Sequence, residues 1–201
     1  MLRLFLSVLV CIACSTALAQ PRLSNLQSEL AAGRLKLLSI VGTGGSSGTV
    51  ITAQLFNATT VPIRLETYLN EPIHFTNSGS NQNMIASQVL LDGGSYLSDG
   101  KRSFIVIPPK ANAKVVFLAY CLDFEKDNPT RADTFSIGSP SPQLVGVLYN
   151  VRNYLRTNPK ADVVVATQVA IWLKQGVSLS NIREKFSVSE EEAQLAQRFI
   201  R

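Results

Sequence analysis

The chain has 201 residues, of which 46% are apolar, 16% charged and 7% aromatic, with 19 Lys plus Arg against 14 Asp plus Glu. That composition excludes a disordered tail, a collagen-like repeat and a disulfide-rich mini-protein, and the length suffices to bury a continuous core. The basic residues are scattered, with no run longer than Lys101-Arg102, so no phosphate-tracking stripe points to nucleic acid.

Residues 1–19, MLRLFLSVLVCIACSTALA, combine an early Arg3, an apolar run from Leu4 to Ala13 and the small residues Ala17 and Ala19. This pattern predicts a secretory signal peptide cleaved after Ala19. A lipoprotein would begin at Cys14, but Cys11 stands where a lipobox wants Leu. Removal of the signal leaves 182 residues with a formal charge of +4, and the run is too short for a comfortable membrane span. The expected location is secreted, periplasmic or cell-surface, with no stable membrane span once the signal is gone. Cys11 and Cys14 leave with it, so the exported chain keeps one thiol, Cys121, which cannot form an internal disulfide.

From Leu35 to Phe124 the chain reads as short alternating or all-apolar runs separated by turn residues. The predicted strands are 35–41, 50–56, 63–69, 85–91, 104–107 and 115–122. The breakers are GTGGSSG at 42–48, NATT with Pro62, the polar stretch 76–83, DGG at 92–94, SDGK at 98–101 and PPKAN at 108–112. After Asp127 the period changes to that of helices. Ser141-Pro142 opens one helix to Thr157, Asn158-Pro159 a second through Gln175, with Gly176 as its stop. Ser180 caps a short third, and Ser189 with Glu192 forms a capping box for a last one near Arg201. The expected fold is α+β: an antiparallel β-sandwich-like body (about 35–125) followed by a C-terminal helical subdomain (about 141–201), in one unit spanning 20–201.

Apolar residues occupy both faces of the last predicted strand, which places Cys121 between layers near the strand end. Downstream, Ala166-Thr167-Gln168-Val169-Ala170-Ile171-Trp172 sets a carboxamide in an otherwise apolar helix, where it needs partners or has reacted. Tyr120-Cys121-Leu122, followed by Thr167-Gln168-Val169-Ala170-Ile171-Trp172, resembles the signature of the thioester domains of bacterial surface adhesins. The resemblance implies a Cys121–Gln168 cross-link formed with loss of ammonia, spanning 47 positions, and an amine-bearing protein or other surface ligand as partner. It also implies single-turnover covalent binding at most rather than an enzyme, with no cofactor and no metal. Tyr120, Leu122, Ile171 and Trp172 are the expected apolar shield, and Thr167 the nearby candidate donor to the Gln168 carbonyl.

The alternative is an exported, non-covalent β-sandwich binding module, with Cys121 a buried free thiol and Gln168 a hydrogen-bonded core amide. A Cys121–His74 hydrolase dyad lacks a third, orienting residue. Asp123, Glu125 and Asp127 alternate like cation ligands but lack the Gly and distal Glu of a calcium loop. GTGGSSG lacks the Lys-Ser or Lys-Thr of a phosphate loop and reads as a hairpin connection. Asn57-Ala58-Thr59 fits a glycosylation acceptor. Ser180 to Ile200 could pass for a helix-turn-helix, but export and simple helix packing account for it better.

Overall fold

A computed structural model describes residues 23–201. The predicted signal peptide, with Cys11 and Cys14, lies outside the described residues. Ten strands, several only two to four residues long, and five α-helices follow in the order β1 (Leu23–Ser24), α1 (Leu26–Ala31), β2 (Leu35–Gly42), β3 (Ser47–Asn57), β4 (Ile63–Glu66), β5 (Tyr68–Asn77), β6 (Met84–Leu91), β7 (Leu97–Ser98), β8 (Ser103–Ile107), β9 (Asn112–Cys121), β10 (Phe135–Gly138), α2 (Pro142–Thr157), α3 (Val164–Lys174), α4 (Leu179–Lys185) and α5 (Glu190–Phe199). The class is α+β, with a two-sheet antiparallel body and C-terminal helices; among the described residues only the short β1–β4 pairing is parallel.

The larger sheet has the order β10-β5-β6-β9-β3-β2 and curls until its edges nearly meet. A bridge joins Val41 to Thr134, and the Gly42 amide donates to the Asp133 carbonyl at 3.2 Å. Gly42 permits this approach, because a Cβ there would lie 2.6 Å from the Thr130 carbonyl oxygen. The smaller sheet has the order β1-β4-β8-β7. Inside, Phe75 packs edge-on against Phe117 at 5.0 Å and Phe135 at 6.3 Å between ring centroids, and Ile51, Leu55, Val89 and Val115 are fully buried on the same face of the sheet as Phe117.

Each predicted strand is present, but the run 63–69 is two strands. Thr67 divides them: its amide donates to Ser103 at the start of β8 in one sheet, and its carbonyl accepts from Val89 of β6 in the other. Apolar alternation continues through such a crossing, so it carries no mark in the sequence. β5 then runs through Glu71 and Pro72, which a register shift between Tyr68 and Ile73 accommodates. The edge strand β10 and helix α1 were not expected; α1 is capped by Asn25, whose side chain accepts from the Ser28 amide at 2.7 Å.

The helical half departs from expectation mainly at its joints. Asn158 belongs to the end of α2, donating through Nδ2 to the Tyr154 carbonyl, and α3 begins only at Val164, after Asp162 accepts from the Val164 amide at 3.1 Å. Gly176, at φ +92°, follows the end of α3. Ser178 rather than Ser180 caps α4, while Ser189 and Glu192 form the predicted capping box on α5. α2 packs on β5 and α3 on β3 and β9, and all residues of α3 from Ala166 to Trp172 are buried.

Asn57 does not serve as a glycosylation acceptor in this fold. It is fully buried, and its amide is committed to the turn that joins β3 to β4. GTGGSSG is the β2–β3 hairpin, closed by the Thr43 amide on the Val50 carbonyl at 2.9 Å.

Candidate functional site

Cys121 is the last residue of β9, the strand lying between β3 and β6 in the larger sheet. β3 begins at Ser47, opposite Tyr120, so the regular ladder stops one residue short of Cys121. The Cys121 amide still reaches the Ser46 carbonyl at 2.9 Å and is shared with a side chain from α3. Gln168 Oε1 accepts from the Cys121 amide at 2.8 Å, and Gln168 Nε2 donates to the Cys121 carbonyl at 2.8 Å. The carboxamide thus plays the part of a strand neighbour, and this pairing fixes which end of it is oxygen.

Both residues are sealed, with Cys121 0% and Gln168 3% exposed. The thiol faces Met84, its cross-strand partner on β6, with Sγ 3.4 Å from Met84 Sδ and 3.8 Å from Asn128 Oδ1. Burial pushes the thiol pKa up to about 12, and the nearby Asp123 carboxylate adds to the rise. The thiol is therefore protonated at neutral pH and screened from solvent, the opposite of an activated surface nucleophile.

Sequence reasoning named Tyr120, Leu122, Thr167, Ile171 and Trp172 around this pair, and all five are buried. Trp172 lies one helical turn beyond Gln168 on the same face of α3. Its indole meets Phe124 edge-on at 5.1 Å and Phe186 of the α4 end at 4.8 Å, so three aromatic rings close the region where the chain leaves β9. The indole Nε1 is buried and has no hydrogen-bond partner among the described residues. The Tyr120 hydroxyl is likewise driven up to about 12 by burial, partly offset by hydrogen bonding with Thr167 and Ser87.

Thr167 does not donate to Gln168 Oε1. Its hydroxyl bonds back to the Val163 carbonyl at 2.7 Å, a habit of Thr inside helices, and the donor on Gln168 Oε1 is the Cys121 main chain. Phe124, Met84 and Asn128 are the neighbours that sequence reasoning missed. Phe124, three residues after Cys121 in an acidic stretch, could have been suspected; Met84 required the strand register, and Asn128 has no local signal.

Of the other candidates, Asp123 lies near the Cys121 thiol but its carboxylate is engaged by other partners. His74 sits on β5, two strands from β9, with Nδ1 3.2 Å from the Ser139 carbonyl oxygen. Asp123 Oδ2 accepts from the main-chain and side-chain nitrogens of Asn83 and pairs with Lys126, while Glu125 pairs with Lys185. Among the described residues no group of three or more His, Cys, Asp or Glu side chains converges as metal ligands would, and no helix is long and apolar enough to cross a membrane. No family model, curated protein or solved structure matches this chain.

Proposed function

We propose that the protein is an exported covalent-binding protein, in which the Cys121 thiol and the Gln168 carboxamide condense to a thioester that is then consumed by an amine on a surface partner. One observation carries the reading: a buried carboxamide held by two 2.8 Å hydrogen bonds to the very residue that bears the free thiol. In the first step Sγ bonds to Gln168 Cδ, the Cδ–Nε2 bond breaks, and the thiol proton leaves with the nitrogen as ammonia. In the second an amine bonds to Cδ, the Cδ–Sγ bond breaks, and the sulfur takes up a proton to regenerate the thiol. Both steps balance without an oxidant or cofactor.

The surroundings support this chemistry. The Cys121 amide, shared between the Ser46 carbonyl and Gln168 Oε1, sits where negative charge would develop as either nucleophile adds, which suits it as an oxyanion donor. Phe124, Trp172 and Phe186 exclude the water that would hydrolyse an acyl-thiol. The non-covalent binding module remains the second reading, favoured by the thiol's orientation toward Met84 and by an amide already satisfied by main chain.

Intact mass separates them. A purified protein short by one ammonia, converted by methylamine to the methylamide with Cys121 then open to iodoacetamide, is the expected result. Full mass with no methylamine adduct would leave Gln168 a structural amide.

A further inference from the structure

Far from Cys121 in function, a cleft of about 790 Å³ opens between α2 and the junction of the two sheets. Its walls carry Lys101 and Arg102 from the turn before β8, Arg152 and Arg156 from the second half of α2, and the rings of Tyr68 and Tyr96. Arg102 is tied to Glu66, the only acidic residue lining the cleft, at 3.3 Å. Among the described residues Lys101, Arg152 and Arg156 have no carboxylate within salt-bridge distance. Four cations against one anion make this a concentrated positive site on a chain whose basic residues are otherwise dispersed.

The cations are also held in place. Arg152 donates through Nη1 to Asn70 Oδ1 at 3.2 Å and lies 5.7 Å over the Tyr68 ring, which fixes the guanidinium while leaving further donors free. Asp99 Oδ1 accepts from the amides of Lys101 and Arg102 at 3.0 and 2.8 Å, so the opposing turn is pinned from behind. Tyr96 is 54% exposed at the rim, an aromatic ring left in water beside fixed positive charge.

We propose that this cleft binds an acidic oligosaccharide, a chain of sugar rings bearing sulfate or carboxylate groups. The anionic substituents pair with Arg152, Arg156 and Lys101, the apolar faces of the rings stack on Tyr68 and Tyr96, and hydroxyls find Asn70. A small inorganic anion uses neither the phenol rings nor the volume, and a nucleic-acid backbone needs a longer track of cations than one cleft provides. The site stands apart from the Cys121–Gln168 pair and does not depend on how that pair reacts.

Titration calorimetry of the full protein tests it with a heparin-derived hexasaccharide, neutral maltohexaose and polyphosphate of matched charge. The sulfated sugar is expected to bind and maltohexaose not to. The double variant Lys101→Ala/Arg156→Ala, both positions exposed, is expected to weaken binding by about tenfold or more. Tyr96→Ala, which leaves the charge unchanged, is expected to weaken it several-fold, and Lys36→Ala, outside the cleft, to leave it alone. The proposal is overturned if the hexasaccharide does not bind, if polyphosphate binds as tightly, or if Tyr96→Ala has no effect while Lys36→Ala weakens binding as much as the cleft variants do.

Discussion

Asn57 and Gln168 are both buried carboxamides, and they are built into the molecule differently. Asn57, fully buried in the turn between β3 and β4, uses its whole capacity: Nδ2 donates to the carbonyls of Val61 and Ile107 at 2.9 and 3.1 Å, and Oδ1 accepts from the amide and hydroxyl of Thr59 at 2.9 and 2.8 Å. Gln168 makes one bond from each end, both to the main chain of a single residue 47 positions away. A saturated amide is a rivet, whose removal breaks four bonds at once. Gln168 keeps one lone pair and one N–H uncommitted, next to the residue that bears the free thiol.

The sharpest way to break that contrast is a double-mutant cycle on Cys121→Ala and Gln168→Ala. Gln168 bonds only the backbone of Cys121, which Cys121→Ala preserves, so without a cross-link the two substitutions add. With a thioester both delete the same covalent loop of 47 positions, and closing a loop of that length is worth about 4 kcal/mol by chain entropy. The expected coupling in urea denaturation is therefore about 4 kcal/mol, and a coupling near zero would favour the structural amide. Asn57→Ala comes next, at about 2 to 3 kcal/mol, with no change in any amine reactivity, because the buried bond to the Ile107 carbonyl and three part-buried bonds of the turn are lost together.

Phe186→Ala probes the shielding that Asn57 lacks any need for. Phe186 is only partly buried and leans on both Trp172 and Phe124. Truncation is expected to cost about 2 kcal/mol and to speed methylamine coupling, read by mass spectrometry against time. Slower or unchanged coupling would show that the amine reaches Gln168 from another side.

Much of this arrangement was legible in the chain. The Cys121 strand end, the α3 helix with Gln168 and Trp172 on one face, and the capping box on α5 all rest on local patterns of burial and hydrogen-bonding type. What was not legible depends on partners remote in sequence. Thr67 changes sheets by splitting its donor and acceptor between Ser103 and Val89, and nothing in the residues around it marks the switch. The role expected of Thr167 fell to a main-chain amide, which every residue possesses and no motif can single out. Asn57-Ala58-Thr59 has the letters of a surface acceptor, yet the Thr59 that completes the motif is the same residue that locks Asn57 inside.

The smallest expected effect comes from the loop that closes the larger sheet. Asp133 accepts from the Thr130 amide and hydroxyl and from Asn81 Nδ2, and these bonds hold its carboxyl at about 2, below the ordinary value of 3.8. A depressed folded pKa means the unfolded chain takes up the proton first as acid is added. The stabilisation is therefore whole above about pH 4 and is lost as the pH falls toward 2. Asp133→Asn should accordingly lower the melting temperature at pH 7 and flatten its fall between pH 4 and pH 2. Cys121 behaves oppositely: a thiol raised to about 12 contributes stability below the ordinary thiol value of 9.0 and loses it as the pH climbs from 9 toward 12. Once Sγ is acylated it has no proton to lose, so a protein carrying the thioester should show the acid limb and lack the alkaline contribution of Cys121. Melting temperatures of the native protein and of Cys121→Ala across pH 8 to 11 make the comparison: parallel curves fit an acylated sulfur, and a steeper alkaline decline in the native protein fits a free thiol.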